Sequence, residues 1–266
     1  MPSLLSNPLT RRLLRPAVSL VEQRMEHITH AFQKDLDALH HEVADLRRRS
    51  YGLGLLLDHA GRDAHRMPTP TQVDRLVGEV RTVTGAADER ARDDITVAYR
   101  HLVALEALGT GGIGGTVSDV CGRLAAVPLL VAAGAGAKAG SGGVVEVLEA
   151  GARHGLFAAA LRRTLRRHGV EARLTLLDAL DEDVVRGNLA LGGTGSQDVR
   201  LVRGGLDAPE VRERRYGVLL LDAPHEEAHG LAGPDAVLVA PADPAPGPGL
   251  RPLGQVADSV YCAPAL

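Results

Sequence analysis

Glu149, Gly151, Gly155 and Asp178 are spaced as the residues of a ligand loop would be, in the stretch VVEVLEAGARHGLFAAALRRTLRRHGVEARLTLLD from Val144 to Asp178. Gly151 has no Cβ to hold a ligand away from the backbone. Gly155 opens the following helix, whose unpaired first-turn N–H groups favour an anionic group such as a carboxylate. Asp178 ends a second apolar run, where a carboxylate can accept hydrogen bonds from both hydroxyls of a ribose. A loop headed by Glu149 and one distal acid therefore suit an adenosine-containing ligand. Arg153 stands where a tighter fingerprint has a second glycine, and an ordinary α/β turn is the competing reading.

Two other patterns carry less. His225 to His229 reads HEEAH, which matches the zinc-hydrolase spacing, but no glutamate follows Glu227 and no histidine follows His229 to complete a ligand set. Pro224 and Gly230 also leave room for barely one helical turn, so a helix start is the simpler reading. Gly109 to Gly115, with its run GTGGIGG, has no Lys-Ser or Lys-Thr after it and no strand before it. It reads as a flexible linker rather than a phosphate loop.

The elements that must position the loop are legible from periodicity. Val144, Val145, Val147 and Leu148 are apolar as a strand covered on both faces requires. Leu156, Ala159, Ala160 and Leu165 fall on one side of a helix, and a second strand follows. This strand, loop, helix, strand unit crosses over right-handed and leaves its first loop at the carboxyl edge of a parallel sheet, where open α/β folds bind ligands. Further strands are expected at 198–202, 216–221, 236–239 and 256–262, with a helix over 180–191 opened by Asp181, Glu182 and Asp183. Ahead of them, a helix capped by Thr71 and another over 88–108 form a helical segment, and the apolar stretch 117–137 stays open between helix and strand.

The run VLEAGARHGLFAAALRR resembles the first motif of class I S-adenosylmethionine-dependent methyltransferases, and the run ending at Asp178 resembles the second. YGVLLLDAP and AGPDAVLVAP are similar to that family's fourth and fifth strands. The layout also resembles a bacterial subgroup in which a coiled coil and a helical segment with a YRHLVALEAL-like helix precede the enzyme domain, and whose fourth strand ends in Asp-Gly-Pro-Pro. Here that point holds Asp222, Ala223, Pro224 and His225, so Arg153 and Ala223 both depart from glycine.

The resemblance implies a Rossmann-like, doubly wound, mostly parallel α/β sheet of about seven strands, with stretch 117–137 as a helix packed on it. It implies S-adenosylmethionine as cofactor, S-adenosylhomocysteine as product, and cofactor contacts from Glu149, Gly151, Gly155 and Asp178. Asp207, in the loop after the third strand, is the position that would touch the adenine amino group, with a plain turn aspartate as the alternative. Methyl transfer needs a base when the acceptor is a poorly acidic hydroxyl, and Asp222 and His225 are placed for it, with His154 a weaker choice. The acceptor is expected to be a small molecule or a sugar. No set of companion ligands suggests a metal.

From Val18 to Leu46, apolar residues recur at Val18, Val21, Met25, Ile28, Phe32, Leu36, Leu39, Val43 and Leu46, a coiled-coil seam with one extra four-residue step. Acids lie generally upstream on the other faces and Arg47, Arg48 and Arg49 close the run, complementing the helix dipole. Homodimerisation through residues 18–46 is expected, with a helix folded back on its own domain as the alternative. The chain then divides into a coiled-coil helix over 1–50, a helical linker segment over 51–143 and the α/β domain over 144–266. A net charge of −3 gives no reason to expect nucleic acid, and 2% aromatic residues with no Trp removes most of the stacking surface that single-strand binders use. Cys121 and Cys262 lie far apart without metal spacing, fitting free thiols in a reducing cytoplasm. The apolar stretch 124–137 is too short to span a membrane and contains Pro128, so no membrane span is expected. A non-catalytic coiled-coil scaffold carrying a degenerate methyltransferase-like domain is the alternative to an enzyme.

Overall fold

The computed structural model describes residues 24–25, 28–30, 32–40, 42–43, 69–135, 143–179, 181–223, 226–242 and 249–265. The chain divides into two compact units, Met1–Arg48 and Arg49–Leu266. In the first, the described residues between Arg24 and Val43 are helical, and Met25, Ile28, Phe32, Leu36, Leu39 and Val43 all stand exposed. The seam positions Val18, Val21 and Leu46 lie outside the described residues.

Among the described residues, the second unit begins with three helices, α1 (Pro70–Thr84), α2 (Asp88–Leu108) and α3 (Val117–Leu130). α1 is capped by Thr69, not Thr71: Gln72 returns the interaction in a capping box, and Pro70 occupies the first turn, where its missing N–H costs nothing. α3 resolves the ambiguity of the stretch after Val117 in favour of a helix, capped by Thr116 and continued by a π-turn over Val131–Ala135. The run Val117–Gly134 is therefore apolar and long enough to cross a membrane, longer than the 124–137 stretch suggested. Most of it is already buried inside the protein, as a core helix is.

Seven strands follow among the described residues, β1 (Val144–Glu149), β2 (Glu171–Leu177), β3 (Val199–Val202), β4 (Tyr216–Leu220), β5 (Ala232–Pro241), β6 (Leu250–Val256) and β7 (Ser259–Pro264). They form one sheet in the order β3-β2-β1-β4-β5-β7-β6. The first five run parallel, and β7 inserts antiparallel between β5 and β6. This is a Rossmann-like, mostly parallel α/β sheet with its reversal point between β1 and β4. The closing segment differs from the single strand expected over 256–262: it is a β6–β7 hairpin turning at Ala257 and Asp258. The fifth strand is also longer than its apolar centre, because Ala232 pairs with Tyr216 at one end and Ala240 and Pro241 pair with β7 at the other.

Helices α4 (Leu156–Arg167) and α5 (Glu182–Leu191) join β1 to β2 and β2 to β3. With α1 to α3 they cover one face, in a core that takes Val145, Val147, Leu174, Leu176, Val218 and Leu220 from the sheet. The opposite face carries Leu148, Leu177, Leu219, Leu221 and Leu238, covered by the short α6 (Pro209–Arg212) and a 3₁₀ turn at Glu226–Leu231. From Val218 onward alternate residues thus feed different cores, as a period of two requires, while Tyr216, across a register shift, joins Leu219. The helices before β1 share the sheet's core; at Gly122 of α3 an added Cβ would stand 2.7 Å from Val256 of β6.

Candidate functional site

Beyond Glu149 the chain changes neighbours within three residues. Ala150 N–H donates to Leu220 O of β4 at 2.9 Å, and Ala152 N–H donates to Leu177 O of β2 at 3.0 Å. Gly151 between them adopts φ 72°, and a Cβ there would lie 2.7 Å from Asp222 Oδ2. The glycine is demanded twice, by its left-handed backbone and by the acid at the tip of β4. Arg153 next in line has φ 49° and bridges Ala179 beyond β2. The departure from the glycine pattern is thus one of side chain, since the backbone keeps a conformation glycine would favour, at roughly 1–2 kcal/mol for a residue with a Cβ.

A cavity of about 360 Å³ opens at the carboxyl ends of β1 and β4. Glu149, Gly151 and Asp222, three of the residues expected to bind or react, line it together. Arg153 lines the same cavity, its guanidinium 3.1 Å from where a Cβ on Gly114 would stand. Asp178, with φ 57°, and Asp207 are exposed on neighbouring loops and do not line this cavity; Gly155 is buried at the start of α4, against Val185. His225 lies outside the described residues. His154 is not in the wall either: its ring lies beneath Gly111, where an added Cβ would fall 2.1 Å from Cγ.

The remaining wall comes from residues that sequence reasoning missed. Gly114, Gly115 and Thr116 line it, so the GTGGIGG run is part of the site rather than a spacer. Asp119 and Arg123, four residues apart on α3, form an ion pair at 2.7 Å, and Ser259 Oγ donates to Asp119 Oδ1 at 2.6 Å. Arg123 also lies over the Phe157 ring, 4.8 Å from its centroid. These are the only two charges in the otherwise apolar α3, a signal readable beforehand. Charges taken from water are costly unless paired, and these two, partly buried, satisfy each other where α3 meets the cavity.

Glu149 dominates the electrostatics. It is 6% exposed, its Oε2 has no hydrogen-bond partner, and burial pushes its carboxyl up to about 7, against the opposing pull of Arg123. Arg123 Nε is likewise buried without a partner. An acceptor atom of Glu149 and a donor atom of Arg123, whose charge is already paired with Asp119, thus lack hydrogen-bond partners in two residues that line one cavity. That arrangement favours a ligand bringing a cationic donor and an anionic acceptor of its own.

No family model and no curated protein matches the sequence. Solved structures overlap it partially. Cofactor-bound Rv0187 from MTB is 20% identical, with 74% of this chain and 99% of that one covered at a TM-score of 0.42. SAH-bound methyltransferase PaMTH1 of Podospora anserina is 13% identical, covering 85% and 96% at 0.36. An O-methyltransferase family protein from Burkholderia thailandensis is 15% identical, covering 62% and 60% at 0.38. The chain spans 48% of the citrinin polyketide synthase CMeT domain, at 14% identity and a TM-score of 0.36. All four are at most 20% identical, with TM-scores no higher than 0.42.

Proposed function

We propose that this chain is an S-adenosylmethionine-dependent methyltransferase acting on a small-molecule or sugar acceptor. The observation that carries the reading is the cavity at the carboxyl ends of β1 and β4, where buried Glu149 has an oxygen without a partner and Gly151 leaves no space for a Cβ. The residues fit the amino-acid end of such a donor: Glu149 takes its ammonium and Arg123 its carboxylate. When bound, the donor supplies a methyl group on a positively charged sulfur. Asp178, at the tip of β2, takes the ribose hydroxyls, and Asp207 is assigned to the adenine edge. Asp222 reaches the same cavity from β4 and accepts the acceptor's proton, with His225 as a second base. The protein's own contribution is alignment and exclusion of water by the roof from Ile113 to Thr116.

The exposed apolar residues between Met25 and Val43 support a homodimer through residues 18–46, and two buried free thiols suit a reducing cytoplasm. Titration calorimetry on the full chain tests the central reading. S-adenosylhomocysteine is expected to bind in the micromolar range, and Asp178→Ala to weaken it at least tenfold. Absence of heat at millimolar ligand would replace the enzyme with the scaffold reading.

A further inference from the structure

Asn188 sits in the middle of α5, an element that contributes nothing to the cavity wall. It is 2% exposed, and asparagine is a poor helix former, so neither helix stability nor apolar packing explains it. Its carboxamide is used on both sides. Oδ1 accepts from Thr110 N–H at 2.9 Å, while Nδ2 donates to Thr110 O and to His154 O, each at 2.7 Å. Thr110 belongs to the strap between α2 and α3 that continues into the cavity roof. His154 belongs to the loop between β1 and α4 that forms its floor. One side chain therefore holds roof to floor.

The chemistry specifies the residue. Two N–H donors and one acceptor at this reach are what a primary amide on one methylene provides; an aspartate offers no donor and a glutamine is one carbon too long. The surroundings accommodate that amide: an added Cβ on Gly109 would meet Asn188 Oδ1 at 3.0 Å, and Gly111 lies flat on the His154 ring. A second tie, Ile113 N–H to Glu106 Oε1 at 2.7 Å, holds the far end of the strap.

We infer that Asn188 is a positioning residue that clamps the strap 110–115 onto the β1–α4 loop and so fixes the shape of the cavity. Its effect on ligand affinity rests on the methyl-donor reading; the clamp itself does not. Amide hydrogen exchange on the full chain, with Asn188→Ala and Asn188→Asp, tests the clamp without any ligand. Exchange at 110–115 and 151–155 should accelerate at least tenfold while α5 keeps its wild-type protection. Unchanged exchange at Thr110, or equal loss of protection throughout α5, overturns it. In Asn188→Asp, lowering the pH restores one donor as the acid protonates, so strap exchange should slow again; a profile parallel to wild type also overturns the clamp. S-adenosylhomocysteine should bind Asn188→Ala at least tenfold more weakly, but should be unaffected by Leu165→Ala, a core deletion at the far end of α4. Equal weakening by both variants would reduce Asn188 to a structural role. A wild type that binds no donor while the variants loosen the strap would sink the donor reading and leave the clamp standing.

Discussion

Replacing Glu149 by Gln should flatten one specific part of the stability profile. The folded-state pKa of about 7 lies above the ordinary 4.5, so the folded protein holds this proton over a range where the unfolded chain has released it. Stability from this group is therefore fully present below about pH 4.5 and falls as pH rises through 7. Two and a half units at 1.36 kcal/mol each give roughly 3 kcal/mol in total, of which about 2.5 kcal/mol falls between about pH 5 and about pH 8.5. The amide of the variant brings a fixed cost from its own unpartnered N–H groups, but that cost does not vary with pH. Urea unfolding of both proteins at several pH values in that window isolates the difference, since every other titrating group cancels. The variant should gain on the wild type by an amount that grows with pH and levels off above 7. Parallel profiles would refute the burial of an ionisable, unpaired carboxylate here. A cationic ligand group should pull the same equilibrium the other way: affinity for S-adenosylhomocysteine should tighten with pH up to about 7 in the wild type and not in the variant.

Gly151→Ala forces a Cβ into Asp222 at a left-handed backbone, which should cost roughly 1–3 kcal/mol by urea unfolding and abolish donor binding by calorimetry, because loop and acid cannot both keep their places. Ile28→Asp combined with Leu36→Asp puts charges in the exposed seam of the first unit, and light scattering should show the full chain passing from dimer to monomer; a monomeric mass in both proteins removes self-association, and a dimeric mass in both removes the seam as its interface.

The sheet was legible because its signals are local. Runs such as Val144 to Glu149 and Tyr216 to Leu220 need cover on both faces, and helix 88–108 keeps its apolar period without interruption, so these elements fall where the pattern places them. The β6–β7 hairpin was harder to read: Leu250 to Val256 contains Pro252 and Gly254, residues that weaken a strand pattern but are tolerated on an edge strand with a register shift. The site was half legible. Glu149, Gly151 and Asp222 announce themselves at strand ends, whereas Arg123, Ser259 and Asn188 reach the site or its loops only through tertiary packing. Glycine-rich sequence also misled, since Gly109 to Gly115 can mean freedom or close approach. Gly111 against His154 shows the second.

That distinction bears on what the helices before β1 are for. A linker could be removed without touching the site, but here α3 supplies Asp119 and Arg123, and the strap before it supplies the roof. The same segment carries a large part of one core: Leu76, Val80, Ile95, Leu102, Leu124 and Val127 are all buried against the helices and strands that follow. Deleting it would expose that apolar face and simultaneously leave Glu149 open to water, returning its carboxyl toward the ordinary range and removing Arg123 from the cavity wall. Folding and the shape of the cavity therefore depend on the same helices, and a chain beginning at Val144 should lose both together.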